Sequence, residues 1–250
     1  MITRKELLEK SEAFEKASLK EILVWAWEAL GSRVAFGTAF GSSGMVLLDV
    51  MQKVAPHIPV FTIDTDFLFP ETLNLIDQVE TRYNIKIERV FSRLSLEEQE
   101  HDYGPELYDS DSDRCCWLRK VEPLQRKLST LNGWMNSRRR DQGETRRRIP
   151  ILEYYETDGR ALLKLNPMAT WTRKQVWDYI LEHDVPYNPL MDQGYASIGC
   201  WPCTKAMGAD ADERAGRWAG SGKVECGIHT FLQPVEPVSN VVESNEPVQS

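Results

Sequence analysis

The sequence predicts an α/β fold, a doubly wound and mostly parallel sheet with helices on both faces. Two observations predict it. Short apolar strand-like runs at 33–36, 59–64 and 85–90 alternate with helix-periodic stretches. The first run leads directly into Gly37-Thr38-Ala39-Phe40-Gly41-Ser42-Ser43-Gly44 and then an apolar helix over 45–54. Alternating strands and crossover helices favour a parallel sheet covered on both sides.

Taken in order, residues 4–17 read as a helix opened by Thr3-x-x-Glu6, and Ser18-x-x-Glu21 opens a second. Leu19, Ile22, Leu23, Ala26 and Leu30 give the second helix its apolar face, and Gly31 ends it. After the strand 59–64 comes Asp64-Thr65-Asp66, where a carboxylate meets a nucleotide at a strand end or Asp66 caps a helix. Pro70 opens a helix over 70–83. From Ser95-x-x-Glu98 to Asp113 the chain is polar and acidic and reads as an exposed loop. A helix is expected over 115–131, strands over 134–136, 149–155 and 161–165, and a helix from Thr172-x-x-Gln175 to about His183. Residues 186–227 are loop-rich. Residues 1–230 are expected to form one domain with a catalytic segment at 220–230, and 231–250 to form a mobile tail.

The composition, 42% hydrophobic and 27% charged over 250 residues, fits one globular domain with a good-sized core. No run approaches the ~20 apolar residues of a membrane span, and the first residues lack the apolar region of a signal peptide. A cytoplasmic protein without membrane contact is expected. A net charge of −8 argues against general nucleic-acid binding. Within that acidic background, Arg138, Arg139, Arg140, Arg146, Arg147 and Arg148 form a local basic cluster, suited to a small anion or simply to a solvated loop. A strand, a Gly/Ser/Thr loop and a helix N-terminus can together cradle a phosphate, although the loop lacks the Gly-Lys-Ser/Thr ending of a Walker A motif.

Five cysteines at irregular spacing point to metal or redox chemistry rather than to a disulfide framework. Cys200-Trp201-Pro202-Cys203 is a two-ligand hook for zinc or an iron–sulfur cluster. Adjacent Cys115 and Cys116 on a helix point about 100° apart, which strains a single small ion and suits the wider corners of a cubane. A 4Fe–4S cluster on Cys115, Cys116, Cys200 and Cys203 is therefore favoured, with zinc and a dithiol redox pair as alternatives. Cys226, in Glu225-Cys226-Gly227-Ile228-His229, is left as a buried structural cysteine or a nucleophile.

Together the paired cysteines, the Glu-Cys-Gly-Ile-His ending, the loop after the first strand and Arg139-Arg140-Asp141-Gln142 resemble the assimilatory sulfonucleotide reductases. They are most similar to the iron–sulfur adenylyl-sulfate (APS) reductases. The resemblance spans about residues 33–230 and implies an adenine nucleotide alpha hydrolase-like fold of PP-loop type. It implies thioredoxin-dependent reduction of APS to sulfite and AMP, in sulfate assimilation toward cysteine biosynthesis, with Cys226 carrying the S-sulfocysteine intermediate. By position it assigns the cluster to the four paired cysteines and places Lys120 between cluster and substrate. Arg214, Arg217 and His229 would hold the phosphosulfate. Thr38, Ala39 and Phe40 would receive the nucleotide, Ile63 the adenine, and Ser137 and Arg146 would lie beside the substrate. The chain departs from the family at Asp66 and Ser137, where glycine is usual. Competing readings are a reductase of 3′-phosphoadenylyl sulfate (PAPS) or of both nucleotides, with Arg147 and Arg148 for the 3′-phosphate. Further alternatives are a tRNA-thiolating or adenylating PP-loop enzyme and a zinc-stabilised interaction module. The expected partners are APS and thioredoxin or a similar dithiol, with no nucleic acid and no membrane; a homo-oligomer is left open.

Overall fold

A computed structural model describes residues 4–157, 159–208 and 212–232. Helices α1 (Arg4–Phe14) and α2 (Leu19–Leu30) lead into β1 (Val34–Gly37). The Ser18 hydroxyl accepts from the Glu21 N–H at 3.3 Å and the Glu21 carboxylate accepts from the Ser18 N–H at 2.7 Å, the reciprocal cap its spacing predicts. Gly31 closes α2 at φ 54. The matching motif before α1 involves Thr3, which lies outside the described residues, as do 233–250 of the expected tail.

The chain continues through α3 (Ser42–Val54), β2 (Val60–Asp64), α4 (Pro70–Tyr83) and β3 (Ile87–Phe91). Residues 95–113 are not the expected loop but three short helices, α5 (Leu96–Tyr103), α6 (Leu107–Ser110) and α7 (Ser112–Cys116). Ser95 and Glu98 form a full capping box, and Gln99 is buried as an acceptor for the Arg119 guanidinium at 2.6 Å. Acidic residues around one buried polar anchor hid a helix with little apolar face.

The helix expected over 115–131 is interrupted. After α7 the chain makes one π-helical turn, Trp117–Val121, before α8 (Glu122–Leu128). Pro123 explains the change, because a proline ring clashes with the carbonyl four residues back in a regular helix. The widened turn removes that clash and aims Lys120 inward. Strands β4 (Gly133–Met135), β5 (Leu152–Thr157) and β6 (Arg160–Leu165) and helix α9 (Arg173–Glu182) complete the regular structure.

The sheet order is β3-β2-β1-β4-β6-β5, parallel except for the β5–β6 hairpin. Side chains alternate across it. Val34, Phe36 and Met135 face a core shared with α1–α4 and α9, whereas Ala35, Phe61 and Trp134 face Leu124 and Leu128 of α8. Both faces are thus covered. From β1 the chain winds outward to β3, then returns to place β4 on the other side of β1. Their C-terminal ends diverge, which opens a crevice between the loop after β1 and the loop after β4. No helix among the described residues is long and apolar enough to cross a membrane.

Candidate active site

The crevice is lined from β1 by Thr38, Ala39 and the first residues of α3, from β2 by Ile63, and from β4 by Ser137 and Arg138. Gly41 caps α3, so the free N–H groups of Ser42, Ser43 and Gly44 point toward this space. Thr38 is buried and its hydroxyl accepts from the Phe40 N–H at 3.0 Å. That hydroxyl rests against Gly44, where a Cβ would lie 2.5 Å away, so only glycine fits there. Phe40 itself does not line the crevice. Its backbone is left-handed at φ 56 and its ring is buried in the core beneath α2 and α3.

A buried guanidinium ties the loops together. Arg139 is fully enclosed and donates to Glu213 at 2.5 Å, Asp141 at 2.9 Å and the Ser43 hydroxyl. Behind it, Arg138 shares Glu153 with the buried Lys164, two cations against one carboxylate. Burial and the charge of Arg138 lower the Lys164 pKa to about 8.

The C-terminal segment closes the other end. Cys226 is buried against Cys116, Trp218, Cys203 and Ile228. Trp218 collects cations around its ring, with Arg217 at 4.7 Å, Lys223 at 5.6 Å and Lys120 and Arg214 each at 5.9 Å. Gly199 permits this, since a Cβ there would lie 2.2 Å from the Arg217 guanidinium. Burial would lower the Lys120 pKa, but Cys200, Cys226 and Cys116 outweigh it and hold the ammonium above the usual lysine range. Burial and then Arg146 push Arg214 down to about 10, a sign of positive charge in excess. His229 stacks on Trp134 with centroids 5.3 Å apart. Burial, and the cations Arg138, Lys164, Arg146 and Arg214, keep its imidazole well below the usual pKa, hence neutral near pH 7. Among the described residues, Trp134 Nε1, Arg217 Nε and His229 Nδ1 are buried with no hydrogen-bond partner. All three residues line the crevice. Each can hydrogen-bond a ligand or a water in the crevice.

The two adjacent cysteines do face different ways. Cys115 packs with Phe67, Leu118 and Cys200, Cys116 packs with Trp218 and Cys226, and Cys203 touches both groups. The Thr65 hydroxyl lies 3.2 Å from Cys200 Sγ. Burial, then Cys116, Cys200 and Cys203, push the Cys115 thiol up to about 12. Four soft donors therefore crowd one buried region. Among the described residues no three His, Cys, Asp or Glu side chains converge closely enough for a single metal ion. Four thiolates are the donor set of a thiolate-held cluster or of one zinc.

The sequence matches the phosphoadenosine phosphosulfate reductase domain over residues 33–206. The chain belongs to that family. A Salinibacter ruber protein named adenosine 5′-phosphosulfate reductase is 45% identical over 87% of this chain and 86% of its own length. A Gloeobacter violaceus protein named phosphoadenosine 5′-phosphosulfate reductase is 43% identical over 86% and 90%. The crystal structure of a PAPS reductase from Candida auris, a phosphate complex, superposes with a TM-score of 0.72 at 32% identity, covering 82% of this chain and 98% of that one. A Candida glabrata FMN adenylyltransferase shares the fold alone, at 15% identity and TM-score 0.55.

For this phosphoadenosine phosphosulfate reductase family member, the fold brings Thr38, Ala39, Ile63, Ser137, Arg146, Arg214, Arg217, Lys120, Cys200, Cys226 and His229 onto one crevice. Cys115, Cys116 and Cys203 pack behind it, and Phe40 is left in the core. Arg147 and Arg148 line a neighbouring hollow that residues 38–44 do not reach, and Arg147 pairs with Glu144 at 2.7 Å. Sequence reasoning missed Trp134, Trp218 and Glu213. The aromatic directly after Arg214-Ala215-Gly216-Arg217 was the available signal for Trp218.

Proposed function

We propose that this chain reduces adenylyl sulfate to sulfite and AMP through Cys226. The observation that carries the reading is the convergence of Cys226, Lys120 and Arg217 in a crevice that begins at a phosphate-type loop. The Cys226 thiolate attacks the sulfate sulfur. The new S–S bond forms as the S–O bond to the phosphate breaks, giving S-sulfocysteine and AMP. A dithiol of the thioredoxin type then attacks the cysteine sulfur, releases sulfite and becomes a disulfide, supplying the two electrons. Arg217 and Lys120 have no carboxylate partner among the described residues, and they stabilise the charge that develops on AMP. His229, neutral, donates one hydrogen bond to the substrate. Thr38, Ala39 and the start of α3 receive the nucleotide, and Ile63 contacts the adenine.

Cys115, Cys116, Cys200 and Cys203 would hold a 4Fe–4S cluster. When bound it would supply a compact charged centre next to Lys120, and no step requires it to pass electrons. APS is favoured over PAPS by the name of the Salinibacter ruber relative; Arg147 and Arg148, which could serve a 3′-phosphate, line a hollow that adjoins the crevice through Arg138, Arg146, Glu225 and His229. Sulfite release by the anaerobically purified chain with thioredoxin, offered APS and PAPS in parallel, tests this. Preference for APS is expected. Equal use or preference for PAPS contradicts the assignment of substrate, and no sulfite from either contradicts the reading as a whole.

A further inference from the structure

The side chain immediately before the nucleophile occupies two of the arginines assigned to the substrate. The Glu225 carboxylate accepts from Arg146 Nη2 at 3.1 Å and Nε at 3.2 Å, and from Arg214 Nη2 at 3.0 Å. The Thr145 hydroxyl adds a longer contact at 3.4 Å. Arg214 also donates to the Val224 carbonyl at 2.9 Å, so it grips backbone and side chain of the same short stretch. Two residues earlier, Lys223 pairs with Asp113 at 2.7 Å and donates to the Ser112 carbonyl at 2.9 Å, at the start of the helix bearing Cys115 and Cys116. Left-handed glycines lie on both sides, Gly222 at φ 72 and Gly227 at φ 90.

We infer that Glu225 is a positioning residue for Cys226. Its carboxylate stands where an anion would be held by Arg146 and Arg214, and it docks the nucleophile segment in the absence of nucleotide. The pairing is charge-assisted and largely shielded from water. Arg217 and Lys120 remain for an incoming anion, which meets Arg146 and Arg214 only by sharing them with Glu225 or displacing it. The inference rests on the functional reading above for the identity of that anion. The docking itself does not depend on it.

Two effects of opposite sign follow for Glu225→Gln, which keeps the shape and removes the charge. Amide hydrogen exchange over 220–230 in the nucleotide-free protein rises about tenfold, as the loss of charge-assisted hydrogen bonds implies. Affinity for ADP, whose β-phosphate imitates the sulfate, increases severalfold because two arginines are released, while formation of S-sulfocysteine from APS slows. Glu225→Asp, which retains the charge with a shorter reach, gives the same shifts in smaller measure and serves where the Gln variant folds poorly. A purely structural role would weaken binding and chemistry together. Unchanged exchange, or faster exchange with weaker ADP binding, overturns the inference. Wild-type protein that binds no ADP removes the functional reading, and the exchange measurement still decides the docking role.

Discussion

Asp66 holds a left-handed backbone at φ 59, and its carboxylate meets the buried guanidinium of Arg119 at 2.7 Å. This pair answers one of the two departures from the family pattern. The position does use the conformation that glycine favours, and the side chain that replaces glycine compensates by pairing with a cation next to Lys120. Its neighbours Thr65, which reaches Cys200, and Phe67, which packs with Cys115, let one short turn touch both arms of the cysteine set. The other departure, Ser137, has no such demand, for its backbone φ is ordinary.

The Asp66 pair predicts an ordering of variants. Asp66→Ala loses the partner of a buried guanidinium, a cost of about 1.5–3 kcal/mol. The left-handed Cβ strain of about 1 kcal/mol is already present with aspartate and is unchanged by alanine. Asp66→Gly suffers the same loss of the pair but relieves that strain. Denaturant unfolding should rank wild type above the glycine variant and the alanine variant last.

Gly199 separates activity from stability. The Cβ of Gly199→Ala meets the movable end of Arg217 rather than backbone. The guanidinium shifts, and kcat/KM for APS falls by about 10–100-fold, as small misplacements of a positioning group do. Tm should stay within a few degrees.

Lys164 gives a pH signature. Its folded pKa, about 8, lies below the ordinary lysine value of 10.5. Between these values the unfolded chain binds more protons, so this residue's contribution to stability rises with pH from about 8 to 10.5. The burial cost is fully present below pH 8. Buried Cys115 has a raised value and acts in the opposite direction, so the comparison must be with Lys164→Met, where that effect cancels. Wild-type stability relative to that variant should climb by about 3 kcal/mol across the window. A flat difference contradicts the buried, depressed lysine.

The donor set makes a stoichiometric prediction. Protein purified without oxygen should carry about four iron and four sulfide per chain. Cys203→Ser, which removes the thiol that touches both groups, should lower that content. One zinc per chain in its place would contradict the cluster assignment.

Much of this was legible in the sequence because it rests on periodicity and fixed spacing. The strand alternation gave the sheet, Ser18 and Thr172 marked helix starts, and the cysteine spacing anticipated that Cys115 and Cys116 face different partners. What escaped depends on long-range pairing. Helix α5 is held by Gln99 under Arg119, twenty residues later in the chain. The ring of Phe40 goes to the core because the loop turns left-handed there, although its neighbours face the crevice. The bond between Glu225 and Arg146 joins segments that no local pattern connects.

The central claim is the nucleophilic role of Cys226, and mass analysis of its peptide tests that most directly. Anaerobic protein given APS without any thiol should retain one SO3 group on Cys226 and release one AMP per group. Cys226→Ser should still bind ADP but carry no such group. An SO3 group found on another cysteine, or sulfite released by the serine variant, would contradict the account.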